Sequence, residues 1–166
     1  MNRLFIIALL AGGLYLGYQT GLVDRIRDLG DNAAIEHPVF ARMSIDIRAE
    51  GREIEGVVIG KMRSMPECEQ RTRRELRDLL EQCPQCRVGS ASCTDSLATR
   101  ELAYFEQRPT HLTYLHGTPG KHDEREFALI FWGLTVNEAR FFCTLMEREL
   151  AGEYAGALDC IREHDA

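Results

Sequence analysis

The sequence predicts an α+β protein in which an N-terminal transmembrane helix precedes a small antiparallel sheet with helices packed on one face, the whole braced by disulfides. Three observations carry this. Leu4 to Val23 contains no charged residue, six cysteines follow it, and the body of the chain twice sets an apolar strand pattern ahead of a capping box and an amphipathic helix.

The apolar run reads LFIIALLAGGLYLGYQTGLV, with only Gln19 and Thr20 distinctly polar. At about 1.5 Å per residue a helix of this length spans roughly 30 Å, the thickness of the bilayer hydrocarbon. Arg3 ahead of the run would also suit a cleaved signal peptide, but Tyr15, Leu16 and Tyr18 stand where the small residues of a cleavage site belong. Residues 1–23 are therefore read as a signal anchor. Gly13, Gly17 and Gly21 recur every fourth position and share one helix face, where the absence of side chains lets another transmembrane backbone approach. This stripe predicts a partner helix in the membrane.

Residues 24–40 mix charge with Gly30, Asn32 and Pro38 and read as a linker, so the folded domain is expected over 41–166. Met43, Ile45 and Ile47 alternate with polar neighbours, and a second run follows Gly51 with Ile54 and Val57 to Ile59. Such alternation on both sides of a glycine predicts a β-hairpin. Ser64 and Glu67 then form a capping box. The helix they open carries Cys68, Thr72, Leu76, Leu79, Leu80 and Cys83 on one face and stops at Cys83, because Pro84 disfavours helical geometry in the residue before it.

A short helix is expected over 95–107, and a second hairpin over 111–117 and 126–133 about Thr118, Pro119 and Gly120. Thr135 and Glu138 make another capping box, opening a helix with Val136, Ala139, Phe142, Cys143, Met146 and Leu150 inward and ending at Gly152. YAGALDCIRE is read as a final short helix. The repetition of strand, capping box and helix hints at two related halves, and a ferredoxin-like plan would accommodate them.

The stretch EQCPQCRVGSASC invites three readings of its cysteines. A catalytic C-x-x-C pair opens a helix, whose positive end stabilises the attacking thiolate; here Cys83 closes one, at the end that opposes a thiolate. Zinc would require Cys68, Cys83, Cys86 and Cys93 in a spacing unlike that of paired C-x-x-C sites. Disulfides fit best. Cys68 and Cys83 are separated by about 22 Å of helix and cannot pair, whereas an extended segment running back from Cys86 covers about 23 Å by Cys93. This favours Cys68 with Cys93 and Cys83 with Cys86, the alternative being Cys68 with Cys86 and Cys83 with Cys93. Cys143 and Cys160 flank Ala151 and Gly152 symmetrically, and two antiparallel helices turning there would bring them face to face.

The remaining sequence offers no chemistry. His111, His116 and His122 cluster in sequence, but an odd separation places the first two on opposite faces of a strand. Gly89 to Ser92 lacks a nucleophile-elbow pattern and reads as a flexible cysteine loop, and Asp123 and Glu124 read as a solvated turn. No catalytic, cofactor-binding or metal residue is assigned.

With 20 Lys and Arg against 26 Asp and Glu the net charge is -6, and Arg71, Arg73, Arg74 and Arg77 alternate with acids, so nucleic acid is not an expected partner. Arg25 and Arg27 beyond the run favour a cytoplasmic body; the even number of cysteines favours an oxidising compartment and is given more weight. The expected protein is thus a non-enzymatic, single-pass protein of the bacterial inner membrane with a periplasmic domain. It would contact the lipid bilayer and serve as an accessory or assembly subunit of a larger membrane protein complex. The alternative is a periplasmic thiol-disulfide oxidoreductase or redox chaperone using Cys83 and Cys86.

Overall fold

A computed structural model describes residues 35–49, 51–83 and 86–163. The expected anchor over 1–23 with Gly13, Gly17 and Gly21, and the linker up to residue 34, lie outside the described residues. Among the described residues no helix is long and apolar enough to cross a membrane.

The chain forms β1 (Val39–Ala49), β2 (Arg52–Met62), α1 (Met65–Gln82), β3 (Cys86–Thr94), α2 (Thr99–Phe105), β4 (Tyr114–Thr118), β5 (Phe127–Trp132), α3 (Val136–Leu150) and β6 (Ala157–Ile161). The first hairpin arises as the alternation requires: β1 and β2 pair in register from Val39 opposite Met62 to Ala49 opposite Arg52, and Gly51 turns the chain at φ +78°. The fold begins earlier than Ala41. Phe40, placed in the linker by its polar surroundings, is only 6% exposed within the core.

All six strands join one antiparallel sheet in the order β3-β1-β2-β5-β4-β6. The sequence order is strand, strand, helix, strand, and then the same again, with α2 between the repeats. A ferredoxin-like plan runs β-α-β-β-α-β, so the two halves are real but their internal order differs from that plan. In each half the third strand pairs with the first, and β2 and β5 join the halves antiparallel from Glu55 opposite Trp132 to Gly60 opposite Phe127. The arrangement approximates a two-fold axis through the middle of the sheet.

Side chains alternate between the faces of a strand, so the core clusters show which face each helix covers. Cys68 of α1 packs with Ala41 and Met62, and Cys143 of α3 with Leu115 and Leu129. Tyr104 of α2 packs with Phe40, Val57, Ile59, Tyr114 and Ile130, the alternate positions of those strands. Thus α1 and α3 share one face while α2 covers the other, a correction to helices on one face only. The periodicity of α2 identifies its apolar side but not the side of the sheet to which its connections carry it.

The expected final helix is the strand β6. Leu158 and Cys160 pack toward α3 while Ile161 packs toward the α2 core, and the whole segment hydrogen-bonds to the otherwise open edge of β4. Gly89 to Ser92, expected as a flexible loop, lies within β3. The second hairpin is wider than a turn about Thr118 to Gly120, because the chain does not re-enter the sheet until Phe127. Leu80 and Val136, placed inward by periodicity, are 42% and 51% exposed. Helix α3 ends at Leu150 with Ala151 as its cap, just before Gly152.

Gly133 closes β5 at φ +82°, and a Cβ there would lie 2.7 Å from the Glu53 carbonyl oxygen. Both the backbone conformation and the space require glycine. Gly133→Ala is expected to lower stability by about 1–3 kcal/mol in urea unfolding, with the m-value unchanged.

Candidate functional site

Two walls meet along one border of the sheet, helix α1 and strand β3. Ser64 caps the helix by accepting from the Glu67 N–H, and the Glu67 carboxylate returns to the Arg63 N–H at 2.9 Å. From this start α1 buries Cys68 and Thr72. At its other end the Cys83 N–H donates to the Leu79 carbonyl at 2.8 Å. The last turn carries no basic residue to offset the partial negative charge of the helix terminus.

The structure brings the six cysteines together as three pairs at disulfide distance: Cys68 with Cys93, Cys83 with Cys86, and Cys143 with Cys160, with Cα separations of 6.1, 5.3 and 5.9 Å. The first two pairs tie β3 to α1 near each end of the strand. The third ties α3 to β6. The same relation, a helix joined to the third strand of its unit, therefore occurs in both halves. For Cys143 and Cys160 the expected route was two antiparallel helices; the observed route is a helix followed by a strand, and a reversal near Ala151 produces the approach either way.

Charged side chains gather where β2, α1 and the chain ahead of β5 meet. Glu67 accepts from Arg71 Nε at 3.0 Å and Arg125 Nε at 2.7 Å. Burial alone would raise the Glu67 pKa, but the Arg63 N–H, Arg125 and Arg71 outweigh it and hold the carboxyl below its ordinary value. Glu126 behaves likewise. Its desolvation is outweighed by His116 and by Lys61, whose Nζ lies 3.0 Å from Oε2. A carboxylate accepts only, so His116 Nε2 carries the proton in their 3.3 Å contact. Nothing local in the sequence distinguishes His116 from a surface histidine, so this network leaves no signature there.

The three histidines are not brought together. His111 meets Trp132 with ring centroids 6.0 Å apart, His116 is fully buried, and His122 Nε2 lies 2.9 Å from Arg63. Among the described residues no group of three His, Cys, Asp or Glu could hold a metal. Asp123 and Glu124 have local partners instead of a shared site: the Asp123 carbonyl accepts from Arg71, while the Glu124 carboxylate takes the Gly120, Lys121 and Ala155 N–H groups. The carboxylate of Glu124 thus pins the β4–β5 connection to the segment after α3.

Helix α3 opens with a reciprocal capping box, Thr135 Oγ1 accepting from the Glu138 N–H while Glu138 accepts from the Thr135 N–H at 2.7 Å. Arg52 adds a two-pronged contact to Glu138, at 2.7 and 3.1 Å. The Arg52 hydrogen bonds, then those from Thr135, hold the Glu138 carboxyl down at about 2 against an ordinary 4.5. Because the folded-state pKa is depressed, the stability linked to this group is present above pH 4.5 and is lost as pH falls toward about 2. The melting-temperature difference between wild type and Glu138→Gln should follow that course; a difference independent of pH across this window would contradict it.

A cleft of about 310 Å³ runs between the two walls, lined by Met65, Thr72 and Leu76 of α1 and by Ala91 and Cys93 of β3. Glu69 and Arg73 stand at its mouth, 4.0 Å apart. Ser92 completes the lining, and the one cysteine there is bonded to Cys68.

No family model, curated protein or solved structure matches the chain.

Proposed function

We propose that the chain is a non-enzymatic, single-pass envelope protein, anchored in the bacterial inner membrane by residues 1–23 with its domain in the periplasm, and serving as an accessory or assembly subunit of a larger membrane protein complex. The observation that carries this is the pairing of all six cysteines in positions that join helices to strands. Cysteines so placed brace a domain, and such braces persist in an oxidising compartment. The uncharged stretch from Leu4 to Val23 supplies the anchor and its glycine stripe a packing face.

The test is to alkylate protein released without reductant and measure its intact mass. Six protected cysteines are expected, together with protease access to the domain in spheroplasts but not in intact cells. Free thiols, or a domain shielded in spheroplasts, would overturn the placement. Detergent co-purification of the wild type against Gly17→Leu tests the partner: the variant should lose it.

A second reading retains a specific observation. The Cys83–Cys86 bond spans only 3 positions, so it constrains the unfolded chain far less than the other two and is the least valuable as a brace. A thiol-disulfide oxidoreductase using this pair would show rapid exchange at Cys83 with glutathione while the other two bonds stay intact. The brace reading expects no such selectivity, consistent with the helix end at Cys83 opposing a thiolate.

A further inference from the structure

We infer that the free edge of β3, with the cleft beside it, is a docking site for an extended peptide segment of a partner protein, which adds to the sheet as a seventh strand. This deepens the docking part of the proposed function and rests on it for the partner's existence, not for the surface. Among the described residues β3 ends the sheet, so its outward N–H and C=O groups have no ladder partner. What satisfies such a row is another extended backbone. The chemistry of the edge thereby names the class of occupant.

The two ends of the sheet differ in how they treat this hazard. β6 is short, five residues, and carries an exposed Asp159. β3 has nine residues, no lysine and no proline, and only Arg87 is charged. Its ladder with β1 slips once, between the Ser90 and Val88 pairings, leaving Ser90 to Thr94 as a regular stretch of about 17 Å. Natural edges usually carry guards against strand addition, and this stretch presents small side chains instead. Ser90, Ala91 and Ser92 are all exposed, and their size lets a second backbone come close.

The cleft supplies what a bare edge lacks, a means of selecting side chains. Met65, Glu69, Thr72, Arg73 and Leu76 recur on one face of α1, above Ala91 on the same face of the sheet. A strand added beside β3 would send alternate side chains toward α1, where an apolar one enters between Met65, Leu76 and Ala91. The intervening side chains would lie on the face of Ser90, whose hydroxyl is 2.9 Å from that of Ser44, so the preferred segment alternates apolar and polar residues. At about 310 Å³ the cleft suits one or two side chains, at the small end for an organic ligand.

The cystines hold this site in shape before anything binds. Cys68–Cys93 joins the walls at one end, and Cys83–Cys86 fixes the entry of β3 at the other. Ordering the walls in advance reduces the entropy that association must overcome.

The experiment pans a phage-displayed library of random dodecapeptides against the full chain in detergent, then measures synthetic copies of the enriched peptides by fluorescence anisotropy. Enrichment of alternating apolar and polar sequences is expected. Methylating alternate backbone nitrogens of such a peptide should weaken binding at least tenfold, and Ala91→Arg, which fills the cleft from an exposed position, should do the same. Asp159→Arg on the opposite edge should leave it unchanged, and near-UV circular dichroism checks that both variants are folded. No enrichment, binding indifferent to methylation and to Ala91→Arg, or a self-dimer abolished by Ala91→Arg would each overturn the inference, the last by naming a second copy as occupant. Peptide binding lost while co-purification persists would leave the complex-subunit reading standing on another surface. Peptide binding by a chain that co-purifies with nothing would sink that reading and leave the edge site intact.

Discussion

Replacing both Cys68 and Cys93 by alanine should lower the unfolding free energy by about 3 kcal/mol. The bond closes a separation of 25 residues, and in the chain-entropy account a crosslink stabilises by restricting the unfolded chain in proportion to the logarithm of that loop. Cys143 with Cys160, across 17 residues, should cost about the same, again roughly 3 kcal/mol. Cys83 with Cys86, across 3, should cost only about half as much. Against a total of about 5–15 kcal/mol for a domain, either long-range loss is large. Urea titration of the three double variants reads the order directly. A ranking led by the Cys83–Cys86 variant would show that the loop argument does not describe how this domain is held.

The first of these bonds was legible in the sequence, and the reason is metrical. A helix rises about 1.5 Å per residue and an extended chain about 3.3 Å, so the short segment from Cys86 to Cys93 retraces the longer helix from Cys83 to Cys68. The antiparallel hairpin, the Ser64 cap and the Thr135–Glu138 capping box were legible for a similar reason, since period, turn residue and cap are all local signals. Glu67, however, returns to the Arg63 N–H and not to that of Ser64, so the first box is not closed. The strand state of Ala157 to Ile161 was not. Five residues with alternating Leu158 and Cys160 suit a helical turn or a strand, and the choice is made by β4, some forty positions earlier in the chain, whose second edge needs a partner.

His116 escaped in the same way. Its burial is produced by Glu126 and by Phe105, whose ring lies 6.4 Å away across the sheet face, and neither relation leaves a mark in the residues beside it. The cleft was half legible. Thr72 and Leu76 of the helical wall belong to the face that the 3.6-residue period marks, whereas Met65 falls outside it, and Gly89 to Ser92 read as a loop because small polar residues have weak strand propensity. Its pairing to β1, not its composition, makes it a strand. Short range therefore reveals elements, and the site at their border depends on pairings that only the assembled sheet supplies.

Ile59→Ala should lower stability by about 3 kcal/mol and leave a single unfolding transition. Ile59 is 1% exposed and belongs to a cluster drawn from both units: Phe40 and Val57 from the first, Tyr114, Ala128 and Ile130 from the second, and Tyr104 from the helix between them. It sits opposite Ala128, in the β2–β5 ladder that joins the halves. Truncating it removes buried methyl groups and leaves a cavity that neighbours on two units would have to close. The single tryptophan, Trp132, lies in the second unit and packs against this cluster, so its fluorescence reports that half, while far-UV circular dichroism reports the helices of both. If the halves share one core, the two signals shift by the same denaturant interval with the m-value unchanged. If each ββαβ unit were a domain in its own right, the Trp132 signal would move less than the dichroism, or the transition would split in two. Coincidence is the expected result, because six strands in one ladder give neither half a face it can bury alone.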